Sequence, residues 1–222
     1  MLESPGIRLE RSAARAISWL QDLVFPPSCG NCGRVDFRFC AGCRRELDLL
    51  PLEDYSDKLE ELEAVFATGK HHHILQKAVQ AFKYEGAMEL AEPLAGRLAD
   101  AMRQSKCRID VIAPVPLFAD REAERGYNQA ALLGQHLSVA MGAAYGADSL
   151  KRVRETSQQA LLSPAERKRN VRGAFVARAD MTGLSVLLVD DVVTTGSTLC
   201  ECAIALKEKE AFAVYGIAVS HA

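Results

Sequence analysis

The chain has 222 residues, 49% of them hydrophobic and 25% charged, with a formal net charge of −2 at pH 7. That length suffices for the core of one ordinary α/β domain plus a small appendage, and the composition is that of a globular protein rather than a disordered or fibrous one. The near-neutral balance gives no global attraction to nucleic acid or membrane, and no apolar run reaches the roughly 18 residues of a membrane span.

Leu9, Ala13, Ile17, Leu20 and Val24 recur at helical spacing, which predicts a short amphipathic helix that packs on the protein. Arg8, Glu10, Arg11 and Arg15 interrupt any apolar core there, so the segment is not a secretory signal, and a cytoplasmic location is the default expectation. Pro26 and Pro27 end the helix. Cys29-x₂-Cys32-x₇-Cys40-x₂-Cys43 follows, two C-x-x-C pairs with Gly30, Gly33 and Gly42 beside them. This pattern suits two tight knuckles presenting four thiolates to one tetrahedral Zn²⁺. A disulfide framework does not fit a chain without a secretion signal, and a redox C-x-x-C needs only one pair. A four-thiolate site has no open coordination position, so its expected role is structural, with a possible partner surface. Cys107, Cys200 and Cys202 lack ligand spacing and read as small buried apolar residues.

The predicted division is a helix and zinc-binding module over residues 1–48, a linker over 49–62 containing Pro51, Asp54 and Asp57, and one larger domain over 63–222. Within that domain Ala64–Thr68 reads as a strand. Ile74, Leu75, Ala78, Val79 and Phe82 mark a helix stopping at Lys83-Tyr84-Glu85-Gly86, and a second helix spans Ala87–Gln104. A strand over Ile109–Ala113 is closed by Pro114-Val115-Pro116, and another helix covers Asn128–Met141. Strand signals recur at Ser149–Val153, Ala174–Ala177, Val186–Val189 and Val214–Val219. Strands alternating with helices predict an α/β fold, a parallel sheet flanked by helices with right-handed crossovers. His71, His72 and His73 precede the first of these helices. Three neighbours on a turn rarely converge on one ion, so they read as surface or phosphate-proximal groups.

Val186–Thr198, VLLVDDVVTTGST, carries the most chemistry. A buried parallel strand ends at two carboxylates, Asp190 and Asp191, and Thr194-Thr195-Gly196-Ser197-Thr198 then form a small hydroxyl-rich turn before a helix over Leu199–Lys207. Backbone N–H groups at such a helix start cradle a phosphate, and a glycine permits close approach. Carboxylates beside the cradle accept from sugar hydroxyls or hold a metal ion, so the pattern suggests a sugar phosphate. A Walker B strand shares the hydrophobic-Asp-Asp run, but the chain has no G-x-x-x-x-G-K-[ST]. A receiver domain carries its aspartates near its start and without this turn. A plain strand-turn-helix capped by Asp and Thr stays open.

Ligands of such sheets sit beyond the carboxyl ends of strands, so the strand ending at Pro114 is expected to face the same crevice. Pro114–Ala130 combines a rigid turn with Arg121, Arg125, Gly126, Asn128 and Gln129, and the guanidinium fork of Arg125 matches phosphate oxygens bidentately. Lys151–Arg172 holds seven basic residues against two acidic ones, which suits a polyphosphate, a nucleic acid or a solvated helix face.

VLLVDDVVTTGST resembles the phosphoribosyl pyrophosphate (PRPP) motif of type I phosphoribosyltransferases. The resemblance implies a PRPP-binding stretch of Asp190, Asp191, Val192, Val193, Thr194, Thr195, Gly196, Ser197 and Thr198. The carboxylates would hold the ribose hydroxyls, and residues 194–198 the 5′-phosphate. It places a pyrophosphate loop around Arg125 and a mobile hood over Arg152–Gly173. The implied catalytic set is Asp190, Asp191 and Arg125, and the implied pyrophosphate and hood set is Arg121, Arg125, Lys83, Arg152, Arg154 and Arg167, with Mg²⁺ accompanying PRPP. A longer series narrows the resemblance: FPPSC, K-Y-x-G at Lys83, PVPL, RGYNQA, R-x-R-x-T-x-x-Q from Arg152 to Gln159, R-x-x-N-V at Arg167, and G-A-F at Gly173. Together these are similar to the ComF/GntX family of phosphoribosyltransferase-like proteins, linked to DNA uptake in competence or to gluconate utilisation. Two expectations follow. One is an enzyme transferring phosphoribose to an acceptor that no motif reveals. The other is a PRPP or nucleotide sensor, or a handler of single-stranded DNA, using the basic hood and Tyr127 and offering its zinc module to a competence-machinery protein.

Overall fold

The computed structural model describes residues 26–53, 55–57, 59–155 and 164–222. The amphipathic helix expected over Leu9–Val24, and Thr156 and Gln159 of the hood pattern, lie outside the described residues.

The cysteine segment leads into α1 (Ala41–Leu49), and β1 (Tyr55–Asp57) pairs antiparallel with β2 (Val65–Ala67). Helix α2 (His73–Tyr84) and a short 3₁₀ turn (Met88–Leu90) precede α3 (Ala91–Ser105). Then come β3 (Val111–Pro114), α4 (Ala119–Arg125), α5 (Gln129–Met141), β4 (Ala144–Tyr145), β5 (Leu150–Arg152), α6 (Pro164–Val171) and β6 (Phe175–Ala177). The chain closes with β7 (Ser185–Val193), α7 (Ser197–Lys207) and β8 (Ala213–His221). The main sheet has the order β1-β2-β8-β7-β3-β4, parallel throughout except for β1.

Three features depart from the expectation. The segments around Leu150 and Phe175 do not join the parallel sheet; they form a separate antiparallel ribbon, Leu150 opposite Ala177 and Arg152 opposite Phe175. Both are short and alternate buried with exposed positions, which suits a two-stranded ribbon with one wet face. The segment read as linker contains β1, and Arg97 ties its start to the sheet. This buried guanidinium, 6% exposed, donates from α3 to the carbonyls of Leu47, Leu50, Pro51 and Thr68. Finally, β7 does not end before the carboxylates. Its pairing with β8 continues through Asp190↔Ala218 to Val193↔His221, because β8 is equally long.

The sheet separates two cores, and side-chain alternation assigns each residue to one. Leu187 and Val189 of β7, with Ile217 and Val219 of β8, face a layer built from α2, α3 and α5. Val186 and Leu188, with Val214 and Ala218, face a layer built from α7 and the ribbon. The first layer also takes in Cys29, Phe39, Cys40, Cys43 and Leu47, so the cysteine segment packs on α2 and α3 as part of one continuous core.

Candidate functional site

The carboxyl edge of the sheet opens into a cleft of about 520 Å³. Asp190 and Asp191 line it, and the strand alternation explains their different surroundings. Asp191 continues the register of Leu187 and Val189 and meets the α2 layer. There Lys83 Nζ, in the last turn of α2, lies 2.7 Å from Asp191 Oδ1. Asp190 continues the register of Val186 and Leu188 and meets the other layer, where the charges of Arg152 and Cys202 act on it or are acted on by it.

Loss of water pushes the Asp190 carboxyl up to about 7, and the Asp191 charge adds to the rise, against the pull of Lys83, the Asp191 N–H and Arg152. The Asp190 side chain accepts from the Asp191 N–H at 2.8 Å, which fixes its rotamer. Burial works to lower the pKa of Lys83, but the Asp191 carboxylate outweighs it and holds the ammonium charged, above its ordinary range. His71 lines the same cleft. Its N–H donates to the His221 carbonyl at 2.7 Å and its ring Nδ1 lies 2.8 Å from Ser220 Oγ. Burial, then the Lys83 charge, lower its pKa against the Asp191 charge, which favours the neutral ring. Of the three histidines this one reaches the cleft; nothing in H-H-H itself distinguishes it, and only the β2–β8 pairing places it there.

Val192 to Thr198 all line the cleft. Gly196 adopts a left-handed conformation at the N-cap of α7, with φ +69° and no side-chain cap. The first-turn N–H groups of α7 therefore face the cleft end of the helix, where a helix cannot satisfy them internally. Thr195 Oγ1 and Ser197 Oγ lie 2.8 Å apart and hold the turn. A Cβ at Gly196 would overlap Cδ1 of Leu59, so the close approach it permits is made by the segment before β2.

The basic residues divide. Arg125 and Arg152 line the cleft. The Arg125 guanidinium donates to Gln129 Oε1 and stacks 5.2 Å from the centre of the exposed Tyr84 ring. Arg152 stacks 5.5 Å from the Phe175 ring. Arg154 instead donates to the carbonyls of Asn170 and Arg172, closing the end of α6. Arg121 lies on α4 and is not among the cleft-lining residues. The side chain of Arg167 lies outside what is described. Tyr127 turns inward, its hydroxyl donating to the Phe82 carbonyl, a position unsuited to stacking a base in this conformation.

Away from the cleft, Cys29, Cys32, Cys40 and Cys43 bring their Sγ atoms within 4.8 Å of one another. Four sulfurs around one ion at about 2.3 Å would sit roughly 3.8 Å apart, so the cluster could hold a metal ion such as zinc. The first pair forms a knuckle, with Gly33 N–H donating to the Cys29 carbonyl at 2.8 Å. The second is not a matching knuckle: Cys40 is the N-cap of α1, where a backbone N–H lowers its pKa, and Cys43 lies in the first turn, where burial pushes its thiol up to about 12. The Cys40 N–H donates to Cys29 Sγ and the Asn31 amide to Cys43 Sγ, both at 3.3 Å, as expected around thiolates. Cys202 is buried as expected, whereas Cys107 and Cys200 are half-buried.

Residues 86–222, which carry the acidic pair and the helix-start loop at the carboxyl edge of the parallel sheet, match the phosphoribosyl transferase domain family. The chain belongs to that family. More narrowly, it is a phosphoribosyltransferase-like protein of the ComF family. It is 33% identical over 205 residues to competence protein F of Haemophilus influenzae, covering 86% of this chain and 84% of that one. It is 31% identical over 193 residues to the DNA utilization protein YhgH of Escherichia coli, covering 84% and 85%. Among solved structures it aligns with the glutamine PRPP amidotransferase of B. subtilis at 24% identity and a TM-score of 0.41, over 59% of this chain and 26% of that one. No described helix is long and apolar enough to cross a membrane.

Proposed function

We propose that the cleft binds PRPP and that the chain transfers its phosphoribosyl group to an acceptor with release of pyrophosphate. The observation carrying this reading is the convergence of the acidic pair, the α7 start and two arginines on one cleft. The α7 N–H groups and the hydroxyls of Thr194–Thr198 would take the 5′-phosphate, and Asp190 and Asp191 the ribose hydroxyls. Arg125, steadied by Gln129 and Tyr84, and Arg152 would neutralise charge developing on the departing pyrophosphate. Mg²⁺ accompanying PRPP would supply further neutralisation of the pyrophosphate charge. Cys29, Cys32, Cys40 and Cys43 would hold zinc in a structural role, and the chain would work in the cytoplasm. Residues 63–222 form the transferase-like domain in this reading, and the cysteine module is its appendage.

Calorimetric titration with Mg²⁺ and PRPP tests the proposal, followed by a screen of acceptors for pyrophosphate release. Absence of PRPP binding would overturn it. The relatives' names, "competence" and "DNA utilization", favour a second reading in which the fold senses a nucleotide or handles single-stranded DNA. The exposed Tyr84–Arg125 stack at the cleft is suited to that use. Salt-dependent binding of single strands that survives Asp190→Ala with Asp191→Ala would favour it over the first.

A further inference from the structure

Resting on the reading that the cleft takes a ribose phosphate, we propose that Lys83 is the resident counter-ion of the acidic pair. Its ammonium takes the place beside Asp191 that a divalent cation would otherwise fill, so the protein binds a ribose phosphate without a metal ion of its own. Lys83 is here a positioning residue: it holds the Asp191 carboxylate in place.

The geometry is specific. Lys83 Nζ meets Asp191 Oδ1 at 2.7 Å, with the side chains only 20% and 12% exposed. The ammonium stands at the carboxyl end of α2, where the backbone carbonyls favour a cation. That helix end is held from several sides. Arg38 donates to the Glu85 carbonyl at 2.7 Å, Tyr127 donates to the Phe82 carbonyl, and Phe82 is wholly buried. A lysine on so fixed a helix end is a placed charge.

The charge around the pair, rather than a lack of oxygens, opposes a metal held by the protein. Mg²⁺ takes six oxygen ligands in a near-octahedral shell. Among the described residues, Asp190 and Asp191 are the side-chain carboxylates that line the cleft, and the cations Lys83, Arg125 and Arg152 line it with them and repel a divalent ion. A divalent ion enters this cleft more readily on a ligand that brings its own negative charge, as a pyrophosphate does.

The test uses Mn²⁺ alone, followed by its paramagnetic resonance, and ribose 5-phosphate alone, followed by calorimetry with no divalent ion added or with Mg²⁺. The expected result is that Lys83→Met gains one Mn²⁺ site at least about tenfold tighter than anything in the parent chain, and that adding Asp191→Asn removes it. Lys83→Arg, which keeps the charge, should gain none. The parent chain should bind ribose 5-phosphate equally with and without Mg²⁺. Lys83→Met should lose about tenfold without the ion and recover with it. Lys83→Gln serves in the same role should the Met variant melt early. The proposal is overturned if neither neutral variant gains Mn²⁺, or if the parent chain binds ribose 5-phosphate only with Mg²⁺. A parent chain that binds no ribose 5-phosphate under either condition refutes the reading of the cleft, while the Mn²⁺ arm still decides the role of Lys83.

Discussion

The four cysteines and the two aspartates both crowd groups that ionise to the same sign, and the fold relieves the crowding differently in each. Around the thiols the neighbours are backbone N–H groups, one amide and the start of α1, and no ammonium or guanidinium is among their described hydrogen-bond partners. Four sulfurs within 4.8 Å of one another could take an ion from outside as their counter-charge. Around the aspartates the chain supplies its own cation, Lys83. In the proposed reading the first cluster is closed and structural, and the second is open to a ligand and keeps a counter-ion that cannot diffuse away.

The contrast is easiest to break at the cysteines. Removing the metal with a chelator, or Cys43→Ser, should lower the melting temperature by about 10 °C or more, since structural zinc contributes several kcal/mol and each is worth about 2–4 °C in a chain of this size. An unchanged melt would mean that the cluster needs no ion. Asp191→Asn attacks the other cluster. It leaves the Lys83 ammonium shielded and unpaired, at a cost of about 3 kcal/mol read by denaturant unfolding. Adding Lys83→Met should recover most of that loss. Arg97→Met removes the donor to four carbonyls that joins the cysteine module to the sheet, at about 2 kcal/mol. A loss confined to the module, visible as local hydrogen exchange near Leu47, would show that the two regions unfold separately. Gly196→Ala forces a side chain into the left-handed region and against Leu59, costing about 1–2 kcal/mol by thermal melt. Leu59→Ala should relieve the overlap and leave the backbone part.

The smallest effect is on pH. A carboxyl held up at about 7 keeps its proton more tightly in the folded chain than its ordinary value of 3.8 allows once unfolded. Asp190 therefore favours the fold fully below pH 3.8, and that contribution is lost as pH rises through 7. Ribose 5-phosphate affinity should move the other way, rising by up to about tenfold between pH 6 and 8 as the carboxylate becomes available to accept hydroxyls. Asp190→Asn should flatten both trends.

The cleft was legible where local chemistry determines geometry. The VDDVVTTGST run carries its carboxylates, its positive-φ glycine and its helix start within a few consecutive residues, although pairing with β8 extends the strand through the carboxylates. The four thiols were legible from spacing for the same reason, although Cys40 and Cys43 sit on a helix start rather than in a second knuckle. What depends on tertiary packing was not. The family pattern brings Lys83 to the cleft, as observed, but not to its partner there, Asp191, which only the packing of the end of α2 against β7 supplies. Arg152 and Arg154 look equivalent in sequence. They are two residues apart around the end of β5, so one lines the cleft and the other closes α6. His71 and Arg97 carry no motif at all, and their roles come from which carbonyls and hydroxyls the sheet brings beside them.

The side-to-side alternation along β7 has a consequence for how such a protein can change. Neighbouring letters of the sequence, Asp190 and Asp191, belong to opposite layers whose side chains are held in separate cores. A lineage can therefore remodel the α7 and ribbon layer, and with it what surrounds Asp190, without disturbing the Lys83 grip on Asp191. The strand acts as a party wall: one household can rebuild while the other stays in residence.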